Sequence, residues 1–129
     1  MKLSVIIVNY NVKNLLRDCL LSVQKAAHSI DTEIIVVDNT SSDGSVEMLK
    51  AEFKDVKLIA NTQNLGFSKA NNQGIAQAQG KYILLLNPDT LINKNTFKDC
   101  LNFSKQTNNC GGIGVKMLDA NNQFLKESK

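Results

Sequence analysis

The sequence predicts an α/β fold in which a doubly wound, mostly parallel sheet carries helices on both faces. Three observations support this prediction. Apolar runs of five or six residues alternate along the chain with segments of helical periodicity. The runs are continuously apolar, as is typical of strands that are buried on both faces. A polar segment follows each of the first four runs, as expected for loops at the carboxyl ends of parallel strands.

The first three elements come from the clearest patterns. Residues 3–8 (LSVIIV) are apolar and mostly β-branched, which predicts a strand. Between residues 13 and 30, apolar side chains recur at steps of three and four, which predicts an amphipathic helix. Residues 33–37 (EIIVV) repeat the composition of the first run and are predicted to form the second strand.

Turn-forming residues separate the next elements. The segment DNTSSDG follows the second strand, and Ser42 or Asp43 within it can cap a helix that runs to about residue 53. Residues 56–60 (VKLIA) are predicted to form the third strand. After a polar loop, a third helix is expected at residues 68–79.

Glycine and proline punctuate the remainder of the chain. Gly80 is expected to end the third helix in the left-handed conformation. Residues 82–86 (YILLL) are predicted to form a fourth buried strand, which Pro88 ends. The last predicted elements are a helix at 96–107, a short strand at 112–118, and a hairpin turn at 121–122 before residues 123–125.

Composition restricts the classes of function. The 129 residues are 43% hydrophobic and 21% charged, which is typical of one soluble globular domain. The net charge is +3 and the lysines are scattered, so nucleic-acid binding is not expected. The first apolar run is too short for a signal peptide or a membrane span. Cys19, Cys100 and Cys110 lack CxxC spacing, which favours a reducing compartment over disulfides or zinc.

Several familiar signatures are missing or isolated. No GxGxxG follows the first strand, so a dinucleotide-binding redox domain is disfavoured, and there is no phosphate-binding GxxxxGK[ST] motif. The glycines at 111–114 lead into a predicted strand, which favours a turn. His28 stands alone near a helix end, where contact with solvent or the helix dipole is expected. Cys19 and Cys100 lie on apolar helix faces and are expected in the core.

Two acidic residues directly follow predicted strands. Asp38 comes after IIVV, and Asp89 comes after LLLNP. A carboxylate at this edge of a sheet can accept hydrogen bonds from a ribose or base, or bind Mg²⁺ or Mn²⁺. A single Asp is more simply explained as a turn residue. For two on adjacent loops, the turn and the ligand-binding interpretations stay equally open.

Five segments together resemble glycosyltransferase family 2, in the order and spacing of that family. Within the family, NPDT in place of the commoner Asp-x-Asp is similar to the rhamnosyltransferase-like branch. The resemblance implies a GT-A fold and inverting transfer of a sugar from a nucleoside diphosphate sugar to an acceptor hydroxyl. The segments are VIIVNYN (5–11), EIIVVDNTSSDGS (33–45), NTQNLGFSKANNQGI (61–75), GKYILLLNPDT (80–90) and GGIGVKMLD (111–119).

The resemblance also implies which residues bind the donor. The loop after the first strand borders the nucleobase, Asp38 accepts a hydrogen bond from the base edge, and the NxGF-x-x-AN signature lies beside the nucleotide. The implied donor-binding residues are Asn9, Tyr10, Asn11, Asp38, Asn39, Asn64, Gly66, Phe67, Ala70, Asn71, Asn87 and Pro88.

A divalent ion, Mg²⁺ or Mn²⁺, is implied as a cofactor. Asp89 matches the last metal-binding carboxylate of Asp-x-Asp, and Asn87 occupies the place of the first. Because an amide is neutral, we expect this site to hold the ion less tightly or to rely more on the sugar diphosphate.

The resemblance implies that residues 1–129 form a single donor-nucleotide-binding domain, the N-terminal half of a longer catalytic domain. The family supplies its catalytic base after the NPDT strand, so the base is expected beyond Lys129. Asp119 and Glu127 are the only acids after Asp99, and neither is expected to be catalytic.

The implied partners are a UDP- or dTDP-sugar donor and a glycan or lipid-linked glycan acceptor, as in polysaccharide biosynthesis. A cytoplasmic location is expected, at the inner face of the membrane if the full protein makes peripheral contact with it. The alternative hypothesis is a non-catalytic nucleotide-binding module of the same fold.

Overall fold

The computed structural model describes residues 1–125. Residues 1–97 form one compact unit, and a second compact unit begins at residue 98. The strands are β1 (Leu3–Asn9), β2 (Thr32–Asp38), β3 (Lys57–Ala60) and β4 (Tyr82–Leu86). The helices are α1 (Lys13–Ala26), α2 (Ser45–Glu52), α3 (Phe67–Gln77) and α4 (Thr96–Gln106).

The four strands form one parallel sheet in the order β3-β2-β1-β4. From β1, the next two strands, β2 and β3, are added successively on one side. Strand β4 then pairs with the opposite edge of β1. The strand order therefore reverses between β1 and β4. Open α/β sheets bind ligands at such a reversal, outside the carboxyl ends of the strands. The predicted α/β class with a parallel sheet is confirmed.

Apolar side chains are buried on both faces of β1. Val5 and Ile7 belong to the larger core cluster, which includes Leu16 and Leu20 of α1 and Leu49 of α2. The opposite face carries Ile6, which packs with Ile35, Val37 and Ala70 of α3. Because helices cover both faces, the first strand must be apolar at nearly every position.

Gly80 has a different role from the predicted one. Helix α3 ends at Gln77, the following Ala78 is extended, and Gly80 does not adopt a left-handed conformation. A Cβ at Gly80 would instead lie 2.6 Å from the backbone nitrogen of Ser4. The prediction of a C-cap was wrong, because a close approach to β1, which leaves no trace in local sequence, explains this glycine.

Two helix ends also differ from the predictions. Helix α1 ends at Ala26, although apolar spacing suggested an end near residue 30. The N-cap of α2 is Gly44, at φ 89°, and not Ser42 or Asp43. Asp43 still satisfies the helix start, because its Oδ1 accepts hydrogen bonds from the backbone N–H (3.0 Å) and Oγ of Ser45.

The strand predicted at 112–118 does not form. In the described part of the chain, this segment contributes one isolated antiparallel bridge, between Leu118 and Phe124. The predicted hairpin turn is present, since the Asp119 N–H donates to the Gln123 carbonyl at 2.8 Å. Asp119 Oδ1 also accepts the N–H groups of Asn121 and Gln123, so this carboxylate shapes the turn. Glu127 lies outside the described residues.

Strand β4 is partly buried on one face and exposed on the other, which corrects the prediction of a fully buried strand. Leu84 and Leu86 pack against the larger core cluster. On the opposite face, Ile83 and Leu85 are 46% and 49% exposed. Among the described residues, β4 pairs only with β1, and α3 packs on β1 and β2.

A buried carboxylate joins the amino ends of the strands. Glu33 of β2 accepts hydrogen bonds from Ser4 Oγ (2.5 Å), Lys57 Nζ (2.6 Å) and the backbone N–H of Gln79 (2.6 Å). Burial alone would raise the pKa of Glu33, but these hydrogen bonds outweigh it and lower the pKa to about 2. The carboxylate thus connects three strands and the segment that leads into β4.

We expect Glu33→Gln to lower the free energy of unfolding at pH 7 by about 2 kcal/mol, because Lys57 loses its ionised acceptor. Since folding lowers the pKa of Glu33 from 4.5 to about 2, its stabilisation is complete above pH 4.5 and is lost as the pH falls towards 2. Thermal unfolding between pH 2 and 7 measures this effect. Glu52→Gln, at a half-exposed carboxylate that pairs with Arg17, is the control, because an exposed ion pair contributes little to stability. If the stability of Glu33→Gln depended on pH between 2 and 7 in the same way as that of the wild type, the stabilising role of the ionised Glu33 would be contradicted.

Candidate functional site

A cleft of about 510 Å³ opens at the carboxyl ends of the strands, where the strand order reverses. Its walls come from the loops after all four strands and from the first turns of α1 and α3. Eleven residues line it: Val8, Tyr10, Val12, Leu15, Asn39, Asn64, Gly66, Phe67, Asn87, Pro88 and Asp89. Most of the predicted donor-binding residues, and the predicted metal ligand Asp89, therefore share one cleft.

Five predicted site residues do not line the cleft. Ala70 and Asn71 are buried in α3, where Ala70 packs against Ile6 and Asn71 Nδ2 donates to the Phe67 carbonyl at 3.2 Å. Asn9, Asn11 and Asp38 belong to a hydrogen-bond network between the loops after β1 and β2.

Asp38 is the centre of that network and is 1% exposed. Its Oδ1 accepts hydrogen bonds from Asn9 Nδ2 (2.9 Å) and Ser41 Oγ (2.6 Å), and its Oδ2 accepts one from the Ser41 N–H (2.8 Å). All three donors lie on Asn9, at the end of β1, and Ser41, in the loop after β2. In this conformation the carboxylate holds two loops together, and its implied contact with a base stays a prediction.

Ser41 is a site residue that sequence reasoning missed. Its hydroxyl donates to Asp38 and accepts hydrogen bonds from the Asn11 N–H (2.9 Å) and Asn9 Nδ2 (3.3 Å). Asn11 is left-handed at φ 51°, and its Oδ1 accepts the N–H of Ser42 at 2.8 Å. The available signal was the cluster of small polar residues directly after Asp38.

A second network fixes the loop that precedes α3. Asn39 Oδ1 accepts hydrogen bonds from the Leu65 N–H (3.3 Å) and Asn61 Nδ2 (3.1 Å), and Asn39 Nδ2 donates to the Gly66 carbonyl at 3.2 Å. Asn61 in turn exchanges two amide hydrogen bonds with Gln73 of α3. Asn39 therefore positions the loop as well as lining the cleft.

Gly66 provides the turn into α3. Its backbone is at φ 81° and ψ 174°, a region that is essentially restricted to glycine. Asn64 Oδ1 accepts the Gly66 N–H at 2.9 Å, which closes the turn. The NxG sequence is thus required by backbone geometry, and it leaves the amino end of α3 at the cleft without a side-chain cap.

Exposed aromatic side chains form part of the walls. Tyr10 is 50% exposed and Phe67 is 60% exposed. The two residues are far apart in the sequence, but both line the same cleft. Val12 and Leu15 add apolar surface that sequence reasoning did not assign. Exposed aromatic faces in a cleft offer stacking surfaces for a planar ligand ring.

Asp89 supplies the negative charge of the cleft. It is exposed, and within residues 1–125 its carboxylate forms no hydrogen bond or ion pair. The same residues contain no group of three His, Cys, Asp or Glu side chains that could hold a metal ion. One carboxylate beside the Asn87 amide fits the way Mg²⁺ is bound when substrate phosphates complete its ligand shell.

The cysteines differ in their surroundings. Cys19 is fully buried, with Sγ 3.8 Å from the Asn87 carbonyl oxygen and 4.0 Å from Thr90 Oγ1. Burial raises the pKa of its thiol to about 11. Cys100 is partly buried, so the prediction of two core cysteines is confirmed for Cys19 alone.

No helix in residues 1–125 combines the length and the apolar character that a membrane span requires.

The sequence profile of glycosyl transferase family 2 matches residues 4–127. The poly(ribitol-phosphate) beta-glucosyltransferase of Bacillus spizizenii is 37% identical over 111 residues, which are 82% of this chain and 18% of that protein. The poly(ribitol-phosphate) beta-N-acetylglucosaminyltransferase TarS of Staphylococcus aureus is 28% identical over 99% of this chain and 23% of its own. The chain thus spans about a fifth of these relatives.

Solved structures agree with the sequence matches. TarS residues 1–349 in complex with UDP superpose with a TM-score of 0.75 at 27% identity, covering 92% of this chain and 39% of that one. The mannosyltransferase PcManGT of Pyrobaculum calidifontis, in complex with GDP-Man and Mn²⁺, gives 0.74 at 23% identity, covering 90% and 36%. These matches confirm the predicted GT-A fold.

We expect Gly66→Ala to lower the free energy of unfolding by about 1–3 kcal/mol, because an L side chain is strained at this backbone conformation. No atom lies within 4 Å of the added Cβ, so the cost comes from the backbone alone. Urea unfolding measures it. Gly111→Ala, which has equal space and no positive φ, should leave the midpoint unchanged. Equal midpoints for both variants would refute this explanation of Gly66.

We expect Cys19 to react with iodoacetamide far more slowly than Cys110 at pH 8. Cys19 is fully buried, and a pKa of about 11 leaves roughly a hundredth of the thiolate of an ordinary cysteine. Peptide mapping by mass spectrometry gives the rate at each site. In guanidinium chloride the two rates should converge, and equal rates in the folded protein would contradict the buried position.

Proposed function

The chain belongs to glycosyl transferase family 2, and from this premise we propose that it binds the donor of an enzyme that transfers a sugar from a nucleoside diphosphate sugar to an acceptor hydroxyl. The observation that carries the proposal is the cleft at the strand reversal. It combines exposed aromatic faces, the uncapped amino end of a helix and an unpaired carboxylate. In a nucleoside diphosphate sugar, the planar base matches the aromatic faces and the anionic diphosphate matches the helix end. A metal ion bound to the diphosphate matches the carboxylate.

The nucleoside is proposed to bind against Tyr10 and Phe67. Both rings are half exposed or more and line the cleft, so stacking on a base would remove apolar surface from water. The UDP complex of TarS supports a uridine donor over the dTDP alternative. Asn9, Asn11, Asp38, Ala70 and Asn71 are proposed to act on the donor indirectly, through the loops and helix that they hold.

The diphosphate is proposed to lie near the amino end of α3. Gly66 and Phe67 line the cleft at this end, and no side chain caps the helix. Free backbone N–H groups and the helix dipole favour an anion there. Asn64 and Asn39 hold this loop in place, which fixes the start of the helix at the cleft.

Asp89 and Asn87 are proposed to hold Mg²⁺ or Mn²⁺ together with the diphosphate. Such an ion, when bound, acts as a Lewis acid that stabilises the departing diphosphate. Asp89 contributes the single charge of this site, whereas Asn87 offers a neutral carbonyl. Affinity for the ion is therefore proposed to depend on the nucleotide that shares it.

The remaining roles of the protein are also proposals. We propose that residues 1–129 are a single donor-binding domain of a longer catalytic domain, and that the catalytic base lies beyond Lys129. In support, Asp89 is the sole carboxylate among the described residues that line the cleft. Glucose or N-acetylglucosamine is favoured by the glucosyltransferase and N-acetylglucosaminyltransferase relatives, whereas a rhamnosyl donor stays a prediction from NPDT. A glycan acceptor and a cytoplasmic location stay predictions as well.

We expect UDP to bind the 129-residue chain and Mn²⁺ to raise its affinity, with dTDP and GDP as comparison ligands. Asp89→Asn should reduce the Mn²⁺-dependent gain by about tenfold or more, because the ion loses its charged protein ligand. Calorimetric titration with and without Mn²⁺ measures this. Asp55→Asn, at an exposed aspartate outside the cleft, is the matched control.

The proposal fails if no nucleoside diphosphate binds at millimolar concentration. It also fails if Asp89→Asn keeps the full Mn²⁺ effect. Binding of UDP by a longer form of the protein without sugar transfer would favour the non-catalytic module instead.

A further inference from the structure

The segment 87–92 follows β4 and carries Asp89. Helix α1 holds it at two points. At one end, the backbone N–H of Ile92 donates to Ser22 Oγ at 3.0 Å. At the other end, Cys19 Sγ lies 3.8 Å from the carbonyl oxygen of Asn87 and 4.0 Å from Thr90 Oγ1. Asp89 lies between Asn87 and Thr90, the two residues that Cys19 faces.

The hydroxyl of Ser22 is used in both directions. It donates to the carbonyl of Cys19, one turn back in α1, at 2.7 Å. This bond within the helix occupies the hydroxyl proton and fixes the rotamer, so that a lone pair accepts the N–H of Ile92. Ile92 itself packs against the larger core cluster. Loss of the hydroxyl would leave a partly buried N–H without its acceptor.

The other contact closes the turn that presents Asp89. Thr90 Oγ1 donates to the Asn87 carbonyl at 2.7 Å, and the same carbonyl faces the buried Cys19 thiol. The Asp89 carboxylate has no hydrogen bond or ion pair of its own within residues 1–125. Its position therefore depends on the backbone of the segment, and that backbone is held by α1.

We propose that Ser22 is a positioning residue for Asp89: it tethers the segment 87–92 to α1 and so keeps the carboxylate where a divalent ion and the donor diphosphate meet. This inference rests on the proposed function. Ser22 does not line the cleft, so it acts only through the segment. Cys19, Thr90 and Ile92 complete the same anchor.

The experiment titrates UDP into the 129-residue chain at increasing Mn²⁺ concentrations. In Ser22→Ala, the Mn²⁺ concentration for half of the affinity gain should rise roughly fivefold, as expected for one lost hydrogen bond, while UDP binding without metal stays unchanged. Ser22→Thr keeps the hydroxyl and should restore the Mn²⁺ response. Ser104→Ala, at a helical serine of the second unit with no side-chain hydrogen bond in residues 1–125, is the control.

Amide hydrogen exchange measured by NMR gives a readout that needs no ligand. The N–H of Ile92 should exchange faster in Ser22→Ala than in the wild type and return to the wild-type rate in Ser22→Thr. Exchange in β1 should not change, because its hydrogen bonds lie within the sheet.

Three results would overturn the inference. In the first, Ser22→Ala keeps the wild-type response to Mn²⁺. In the second, it loses metal-free UDP binding to the same extent, which identifies a general structural role. In the third, Ser22→Thr fails to restore the Mn²⁺ response. A failure of the proposed function is seen separately, because wild type and Asp89→Asn would then respond alike to Mn²⁺.

Discussion

The pairing of β1 with β2 on one side and with β4 on the other determines the strand order of the sheet and the position of the cleft. Because β1 is central, both of its edges are paired and both of its faces are covered, and its residues between the polar Ser4 and Asn9 are all apolar. The reversal of strand order beside β1 opens the cleft and brings the loops after all four strands to its walls. The topology of the sheet therefore sets where the cleft lies, and the side chains determine what it can bind.

Asparagine carries much of the loop structure around that position. The sequence has sixteen asparagines, so any one of them invites an explanation from composition alone. Yet Asn9, Asn11, Asn39, Asn61 and Asn64 each bond across or within the loops that border the cleft. An amide both donates and accepts, and it carries no charge that would need a counterion. That combination suits loops that must stay rigid beside an anionic ligand.

Elements fixed by local pattern were predictable, and contacts between distant segments were not. The strand β1 and the helix α1 follow from apolar spacing that each segment contains within itself. Gly80 and Ser22 depend on partners 76 and 70 residues away, so no local rule identifies their roles. Motif resemblance performed better for the cleft, because a family motif includes such distant partners. It assigned Asp38 to the nucleobase and Asp89 to the metal; in the structure Asp89 lines the cleft, whereas the Asp38 carboxylate bonds the two loops beside it.

The exposed side of β4 has a consequence for the association of this protein at high concentration. The strand contains no charged residue between Tyr82 and Leu86, it pairs with β1 along one edge within residues 1–125, and its Ile83 and Leu85 are half-exposed. Natural proteins guard such edges with charge, proline or a covering segment, because an open edge is a template for intermolecular strand pairing. Within this sheet, β4 is therefore a site for intermolecular strand pairing in concentrated solution, independently of how tightly the cleft binds its ligand.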